Sequence, residues 1–453
     1  MTTIYEPGTD PIQRRFGVTA AWATVFLIVH IPLGLAMRAY PVASTFHALF
    51  VLALGLSWAV AGHEERLAAW GGYVAVSDVL WRMTGASIPW EFAKYALVLV
   101  FTVSILRSGR LRAPALPFVY IGLLIPSSLL AVWTLGPRLG LNGIRFNLSG
   151  PVALAVGVWF FSRMRLSASE CAAGLVGLIG PIISVGSIAV SGMYSAETVE
   201  FRSGSNLAAS GGYGPNQVSA ILGLGVMVSL LLLMMVRGRV WLSAVLISIM
   251  FGLASQSALT FSRGGLYTAA AGAVAAMPFL LRERGARRRL VISGPIILAV
   301  SVFVVIPRLV AFTGGAVQTR FEDTGVTGRD VIMKADLTIW GENPVLGVGP
   351  GLGLASRLTV LGVAPAAHTE WTRLLAEHGL LGFGAAICLV AMGLRPVASA
   401  RSPLEKAVAA AFVVWAFFYM FHAGMRLAAP SFAVGLAQCR IGGSAGQPKK
   451  WRK

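Results

Sequence analysis

Residues 239–281 read RVWLSAVLISIMFGLASQSALTFSRGGLYTAAAGAVAAMPFLL, two apolar runs joined by a turn of a few residues. Each run has roughly the 20 mostly apolar residues that an α-helix needs to cross a membrane. Inside hydrocarbon every backbone amide must be paired within the protein, so spanning segments are either helices or closed barrels. The two runs do not alternate between apolar and polar residues, which indicates membrane-spanning helices rather than barrel strands.

The same pattern covers most of the chain, whose 453 residues are 56% hydrophobic and only 12% charged. Soluble domains carry roughly 25% charged residues, so a water-soluble fold would leave too much apolar surface exposed. We therefore predict an all-α polytopic membrane protein with about 12 transmembrane helices. The predicted spans are residues 17–37, 43–61, 89–107, 114–134, 150–162, 170–192, 215–236, 239–258, 264–281, 290–307, 377–394 and 404–423.

Two weaker apolar segments and one long extramembrane segment complete the organisation of the chain. Residues 66–82 are apolar but interrupted, and a span, a re-entrant segment and an interfacial helix all fit this pattern. A run at 427–438 is too short to predict as a span. Residues 308–376 form the long segment, and a loop of that size usually has structure or function of its own. We predict one transmembrane domain, residues 1–453, with 308–376 folded over its outer face.

The net charge of +19 is spread over short basic clusters between the apolar runs. Cytoplasmic loops are enriched in Lys and Arg, and from residue 107 onward these clusters fall on alternate loops. A cytoplasmic N-terminus fits the same pattern only if 66–82 crosses the membrane. Nucleic-acid binding is disfavoured, because no polar domain gathers the basic residues. The basic clusters are Arg107–Arg112, Arg163–Arg165, Arg237–Arg239, Arg282–Arg289, Arg395–Arg401 and Lys449–Lys453, and the loops predicted to face outward are 135–149, 193–214, 259–263 and 308–376.

Arg263 lies in the outward turn 259–263, between two strongly apolar helices, and is followed by two glycines. An arginine at membrane depth is costly unless it snorkels to the interface, pairs with an acid or lines a wet cavity. Snorkelling arginines favour the cytoplasmic side, whereas the charge pattern places this one outside. The glycines would permit close approach of a ligand. The sequence leaves an interfacial arginine and a ligand-binding arginine as alternative interpretations.

Residues 329–341 in the long outward segment are predicted to form a helix. Ile332, Ala335 and Ile339 recur at helical spacing, which indicates one buried face. Asn343, followed by proline, is predicted to end the helix. Arg329 stands at the start, where backbone amides are unpaired, and both features suit an anion such as phosphate.

Alternatives remain for this arginine and for the glycine run that follows its helix. A solvated Arg329 paired with Asp323 or Asp330 fits the sequence equally well. The run Gly347–Gly353 is compatible with a phosphate cradle or with a mobile turn. No βαβ pattern surrounds it, so it does not indicate a dinucleotide site.

His368 lies outside the predicted spans, shortly before the span that begins at residue 377. A histidine near the membrane surface is suited to act as a general base toward a hydroxyl, although an ordinary interfacial histidine is the alternative. Glu377 would either orient His368 or cap the next helix. His30, His47 and His422 lie in or at the ends of spans, where a packed, hydrogen-bonded histidine is expected.

Arg202, Asn216 and Arg320 are secondary candidates on the predicted outer side. Arg202 has acidic neighbours, Asn216 follows a proline at the start of a span where it would serve as a cap, and Arg320 is expected to pair with Glu322. We predict a structural role for each. The chain contains no HExxH, CxxC, Walker A or GxSxG motif, so neither a metal nor another cofactor is predicted.

An ordered set of short motifs runs through residues 213–385. It comprises Pro215-Asn216, Ser262-Arg263-Gly264-Gly265, Gly328-Arg329, Trp340, Asn343-Pro344, Gly347–Gly351, Ala367-His368-Thr369-Glu370-Trp371, Leu375 and Glu377-His378-Gly379. This order and spacing resemble the O-antigen ligase/polymerase family, whose members read approximately R…W…(N/H)P…GxGxG…HN…L…E.G..G. Thr369 departs from that pattern, because Asn is usual there. A hydroxyl partly replaces the hydrogen bond that such an Asn would make.

The resemblance implies a membrane glycosyltransferase with the multi-helix, large-loop architecture of GT-C-like enzymes. It implies an undecaprenyl-pyrophosphate-linked glycan donor, no metal, and a site facing the periplasm from the bacterial inner membrane. By motif match, Arg263 and Arg329 would bind the pyrophosphate, and His368, oriented by Glu377, would activate the acceptor hydroxyl. The acceptor is lipid A–core or a protein in a ligase and another lipid-linked glycan in a polymerase.

Two function classes outside glycan transfer remain as alternatives. A secondary transporter or lipid flippase is also polytopic, but such proteins often contain inverted repeats and helices broken near the midplane. No internal repeat is visible in this sequence, and its polar residues gather at one predicted surface. A non-catalytic scaffold would not need Arg263, Arg329 and His368 on the same side.

Overall fold

The computed structural model describes residues 20–195, 201, 204–236, 240–323, 325, 328–422 and 424–442. Most of this part of the chain is helical, which confirms the predicted all-α fold. The helices are α1 (Ala20–Ala39), α2 (Pro41–Ala61), α3 (Glu64–Met83), α4 (Phe92–Arg107), α5 (Ala115–Ser162), α6 (Ala168–Ser195), α7 (Pro215–Met235), α8 (Val240–Leu259), α9 (Gly264–Leu280), α10 (Arg284–Val300), α11 (Ile306–Phe312), α12 (Ala316–Glu322), α13 (Arg329–Glu342), α14 (Gly353–Leu361), α15 (Glu370–Ser399), α16 (Pro403–Met420) and α17 (Ala428–Ala437).

Nine helical segments of the described chain are long and apolar enough to cross a membrane. They are α1, α2, α5, α6, α7, α8, the continuous segment Arg284–Phe312, α15 and α16. Helices α9 and α17 are apolar but shorter. Every predicted span falls on a helix, and the chain is a multi-pass membrane protein.

The predicted outward loop at 135–149 is wrong, because this stretch is helical. Helix α5 consists of two helices that meet at Gly136, whose φ is 77°. This left-handed conformation costs glycine little, and Pro137 is tolerated in the first turn of the second helix. The second helix carries Asn147 toward α15, where its side-chain oxygen accepts a hydrogen bond from Arg373 at 3.0 Å.

The ambiguous segment 66–82 belongs to α3, whose 20 residues span about 30 Å at 1.5 Å per residue. At its first end, Glu64 lies 3.1 Å from Arg163. At its last end, the Met83 carbonyl accepts a hydrogen bond from Arg38 at 2.8 Å. The charges that interrupt its apolar pattern are internal, since Asp78 and Arg82 form a buried pair at 2.9 Å. The helix therefore runs from one end of the bundle to the other.

Arginines of the predicted basic clusters lie at one end of the bundle. At this end Arg163 contacts Glu64, Arg107 donates to the Val60 carbonyl, and Arg440 pairs with Glu405 at 2.8 Å. The short strands β1 (Arg165–Leu166) and β2 (Arg440–Ile441) pair in parallel there. We call this the basic end. The turn before α9 and the segment 308–376 lie at the opposite end, and that segment is built from α11 to α14 and the start of α15.

Close backbone contact between α7 and α9 fixes where α9 begins. A Cβ atom added to Gly265 would lie 2.0 Å from the Ser219 carbonyl oxygen, and one added to Gly223 would lie 2.1 Å from the Gly265 carbonyl oxygen. Real Cβ atoms do not approach backbone this closely. The two glycines therefore set the distance between the helices and the position of Arg263, which directly precedes α9.

We expect Gly265→Ala to destabilise the protein by about 1–3 kcal/mol, because overpacking a tight contact forces the two backbones apart. The measurement is the thermal unfolding temperature of the purified protein in detergent. Gly252→Ala on α8 is the matched control, since a Cβ there meets no atom within 4 Å. Equal unfolding temperatures for the two variants would contradict this account of the contact.

Candidate functional site

The turn that carries Arg263 is strained and held from two sides. Phe261 has a φ of 57°, a conformation that only glycine adopts without cost, and no other non-glycine residue of the described segments has a positive φ. The Phe261 carbonyl accepts a hydrogen bond from Arg320 at 3.0 Å. The Ser262 carbonyl accepts one from the Ser219 hydroxyl at 2.6 Å. A strained backbone persists only where surrounding contacts hold it in place, and strained residues cluster at functional sites.

A cavity of about 520 Å³ lies beside this turn, and we call it the arginine cavity. Three predicted candidates, Arg263, Arg320 and Arg329, line it together. The structure thus brings residues from the α8–α9 turn, α12 and α13 to one place. The two carboxylates that also line it, Asp323 and Asp330, are exposed to solvent.

The three arginines are only partly compensated. Arg263 donates to the Gly325 carbonyl at 2.6 Å and lies 4.0 Å from Asp323, and Arg320 lies 3.4 Å from the same carboxylate. The predicted partner of Arg320 was Glu322, but Asp323 at the end of α12 takes its place. Arg329 forms no hydrogen bond or ion pair within the described residues, so neither predicted acidic partner binds it. A partly buried cluster of this kind suits an anion with several oxygens.

The pKa values of two of these groups reflect the crowding of positive charge. Burial lowers the pKa of Arg329, and the charges of Arg263 and Arg320 lower it further. Burial and the charge of Arg263 likewise lower the pKa of Arg320. Guanidinium groups stay protonated in proteins, so the repulsion persists until an anion relieves it. Arg329 also begins α13, where the helix dipole favours an anion.

The remaining secondary candidates have different outcomes. Asn216 lines the arginine cavity, and its side-chain oxygen accepts a hydrogen bond from Ser262 at 2.7 Å. It does not cap α7, because the N-cap residue of that helix is Gly214. Arg202 lies outside the described residues.

His368 lies half-buried in the connection between α14 and α15. Its ring interacts with the backbone of His422, which lines the arginine cavity, and with the charges of Arg426 and Arg329. Burial lowers the pKa of His368, and the two arginines lower it further. The imidazole is therefore neutral at physiological pH, and a neutral imidazole can accept a proton.

A second cavity of about 380 Å³ lies beside this connection, and we call it the mixed-charge cavity. Ala367 and Thr369 both line it, whereas His368, between them in sequence, lines neither cavity. Its charged lining residues are Glu91, Lys94, Arg357, Glu370, Arg373, Glu377 and Arg426. Cations and carboxylates are close to balanced here, in contrast to the arginine cavity.

Glu377 has a partner other than the predicted one. Arg373 donates to its carboxylate at 2.7 Å and also binds Glu370. Residues 373 and 377 are one helical turn apart on α15 and therefore lie on the same face. No contact between Glu377 and His368 occurs among the described residues. Nor does Glu377 cap the helix, because α15 already begins at Glu370.

Thr369, the position that departs from the family pattern, caps α15. Its hydroxyl accepts a hydrogen bond from the Trp371 amide at 3.1 Å. Asparagine is an equally good residue at this position of a helix. The capping bond therefore survives the substitution of Thr for Asn.

We expect Thr369→Ala to destabilise the protein by about 1 kcal/mol, the usual cost of losing such a cap. Thr369→Asn is the matched control and should unfold at the same temperature as the unchanged protein. The measurement is thermal unfolding of the purified protein. A loss of stability in the Asn variant as large as in the Ala variant would show that capping is not the role of this residue.

The glycine run is structural rather than a phosphate cradle. Gly347, Gly349 and Gly351 have φ values of 64°, 91° and 91°. The amides of Val348 and Gly349 donate to the Ala376 and Glu377 carbonyls at 3.0 and 2.9 Å. These bonds anchor the run to α15 just before its non-helical residue, Gly379.

Sequence reasoning missed a buried ion pair that joins three helices of the outer segment. Arg357 of α14 donates to Asp336 of α13 at 2.7 Å, and Thr372 of α15 donates to the other oxygen of Asp336 at 2.7 Å. Sequence spacing carries no signal for a contact between residues so far apart. Arg426, which bonds the Ala367 carbonyl, was missed for the same reason.

Residues 257–387 match the family model described as O-antigen ligase. The matched segment contains Arg263, Arg320, Arg329, His368 and Glu377, and the match supports the predicted resemblance to the O-antigen ligase/polymerase family. His422 and Arg426 lie beyond it. No curated protein matches the chain.

Proposed function

We propose, from the premise that residues 257–387 form an O-antigen ligase domain, that this protein transfers a glycan from a lipid pyrophosphate to an acceptor hydroxyl. The observation that carries the proposal is the arginine cavity, where Arg263, Arg320 and Arg329 meet with incomplete compensation. A cavity of this charge suits a pyrophosphate. The family match supports the reaction class, and the three arginines support this cavity as the binding site for the donor.

In this proposal Arg263 and Arg329 bind the pyrophosphate of an undecaprenyl-linked donor. A guanidinium group can donate two parallel hydrogen bonds to phosphate oxygens, and it keeps its charge at an apolar interface. As the bond between the sugar and the phosphate breaks, negative charge grows on the leaving oxygen, and fixed cations stabilise it. Arg320 acts through Phe261, because its hydrogen bond holds the strained turn that presents Arg263.

His368 is proposed as the general base. Its neutral ring takes the proton from the acceptor hydroxyl as that oxygen attacks the anomeric carbon and the lipid pyrophosphate leaves. A single displacement of this kind inverts the configuration at the sugar. The energy comes from the donor linkage. The support for this role is that the sequence neighbours of His368, Ala367 and Thr369, line the mixed-charge cavity, while its ring interacts with the backbone of His422, which lines the arginine cavity.

The mixed-charge cavity is proposed to receive the acceptor. Sugars present many hydroxyl groups, which both donate and accept hydrogen bonds, and a lining of balanced guanidinium and carboxylate groups suits them. Arg426 and Arg357 supply donors there, and Glu377 supplies an acceptor. The membrane is proposed to be the bacterial inner membrane, with both cavities facing the periplasm. The support is that they lie opposite the basic end.

The test is product analysis in a bacterium lacking this protein, with lipid A–core and surface glycan both examined. Long glycan left on undecaprenyl pyrophosphate beside bare acceptor would establish a ligase. Single repeats that still reach their acceptor would establish a polymerase. An unchanged pattern in both would refute glycan transfer by this protein.

A further inference from the structure

His422 lies in the turn after α16 and lines the arginine cavity. Only 7% of its surface is exposed. Neither ring nitrogen has a hydrogen-bond partner among the described residues. Burying polar atoms without partners costs free energy, so this histidine contrasts with the packed, bonded residue that its sequence position predicts.

Two other histidines, the buried His30 and the half-buried His47, have hydrogen-bond partners at both ring nitrogens. His30 bonds the Phe26 carbonyl at 2.7 Å through one nitrogen and the Tyr73 hydroxyl at 3.1 Å through the other. His47 bonds the same hydroxyl at 2.9 Å and accepts from Trp81 at 3.0 Å. The fold thus supplies partners for both nitrogens of these rings and for neither nitrogen of His422.

The surroundings of His422 indicate which kind of partner its ring nitrogens would bind. A Cβ atom on Gly264 would lie 2.9 Å from the ring, so the imidazole packs on the first residue of α9, directly after Arg263. Burial and the charge of Arg329 lower the pKa of His422 to about 3. The ring is therefore neutral and carries one N–H group. An interaction with its own backbone opposes this shift in pKa, but neither nitrogen is in hydrogen-bond geometry with a described group.

We propose that His422 is a further ligand-binding residue of the arginine cavity and donates a hydrogen bond to a phosphate oxygen of the lipid pyrophosphate. An anion only accepts hydrogen bonds, and the ring can present its N–H from either nitrogen. Arg263 and Arg329 then supply charge while His422 supplies a neutral donor. This inference rests on the proposed function, and it adds a residue beyond the O-antigen ligase segment to the donor site.

The experiment measures binding of a fluorescent short-chain polyprenyl pyrophosphate to the full-length protein in nanodiscs. His422→Phe keeps the ring but removes both nitrogens, and we expect about tenfold weaker binding, the effect of one hydrogen bond to a charged group. His422→Gln keeps a donor and should recover most of the affinity. Tyr419→Phe is the matched control, because it removes a buried, unbonded hydroxyl that lies outside the cavity lining.

The outcomes separate this inference from the proposed function. If Arg329→Ala weakens binding and His422→Phe binds as tightly as the unchanged protein, the role of His422 is wrong and the donor site stands. If the unchanged protein does not bind the probe, the proposed function itself fails. If His422→Phe and His422→Gln weaken binding equally, the ring acts by packing and the hydrogen bond is refuted. Monodisperse elution of each variant confirms folding.

Discussion

Replacing Arg329 by alanine should reduce glycan transfer by at least about 100-fold while the protein still folds and inserts. The side chain makes no hydrogen bond or ion pair with the described residues, so its removal leaves no acid unpaired in the fold. Its burial and the repulsion from Arg263 and Arg320 are costs that only a bound anion offsets. Loss of function without loss of stability is therefore the expected signature. The measurement is transfer by the purified protein from lipid-linked donor, together with its thermal unfolding temperature.

Two further variants sharpen this prediction. Arg329→Lys keeps the charge but not the planar pair of donors, and it should retain an intermediate rate. Arg308→Ala is the matched control, since Arg308 is an exposed arginine near the end of the candidate span Arg284–Phe312 and does not line the cavity. Full activity in Arg329→Ala would remove this residue from the donor site. Unfolding of the variant would instead assign it a structural role.

Replacing His368 by alanine should lower turnover by about 10²–10⁴-fold, the usual contribution of a general base. Donor affinity should change much less, because His368 does not line the arginine cavity. The readout is the maximal rate against the apparent affinity for donor. Unchanged turnover would mean that the base is another group.

The role of His368 as a base also predicts the direction in which turnover changes with pH. Burial first, and then the charges of Arg426 and Arg329, lower the pKa of His368, so the neutral base persists to a lower pH than an exposed histidine would allow. Turnover should fall as the pH drops through that lowered pKa. Arg426→Gln removes one of the charges, raises the pKa of His368 and should move the acidic limb to higher pH. Arg426→Lys keeps the charge and should leave the limb in place, and a limb that moves in neither variant would contradict the assignment.

Much of the fold follows from local sequence because the bilayer imposes a local rule. A run of about 20 apolar residues must be a helix wherever it crosses hydrocarbon, whatever it packs against. The helix at Arg329–Glu342 was predictable in the same way, since Ile332, Ala335 and Ile339 define a face and are buried. The failures occurred where local pattern and packing disagree. Residues 135–149 resemble a loop because Gly136 interrupts the apolar run. In the structure a second helix begins directly after Gly136.

Part of the candidate site was also predictable, and part was not. Arg263 is a candidate because a cation is costly near a membrane, and Arg329 because it begins a helix, whereas Arg320 is predicted from sequence to be structural. Their arrangement around one cavity depends on how α12 and α13 fold back onto the α8–α9 turn, and no spacing in the sequence encodes that distance. Glu377 illustrates the limit, because its partner Arg373 lies one helical turn away, whereas His368 precedes the helix.

The sequence by itself determined the membrane class, the positions of most helices, the end of the bundle that carries the basic loops, and the resemblance to the O-antigen ligase/polymerase family. Each of these depends on composition or on neighbours within one helix, where the chemistry is local. Only the tertiary structure decided that α3 runs through the bundle, that the glycine run is hydrogen-bonded to α15, and that His422 is buried with no hydrogen-bond partner in the part of the chain that the structure describes. These depend on which surfaces meet, because a buried polar group is satisfied or left open by residues distant in the chain.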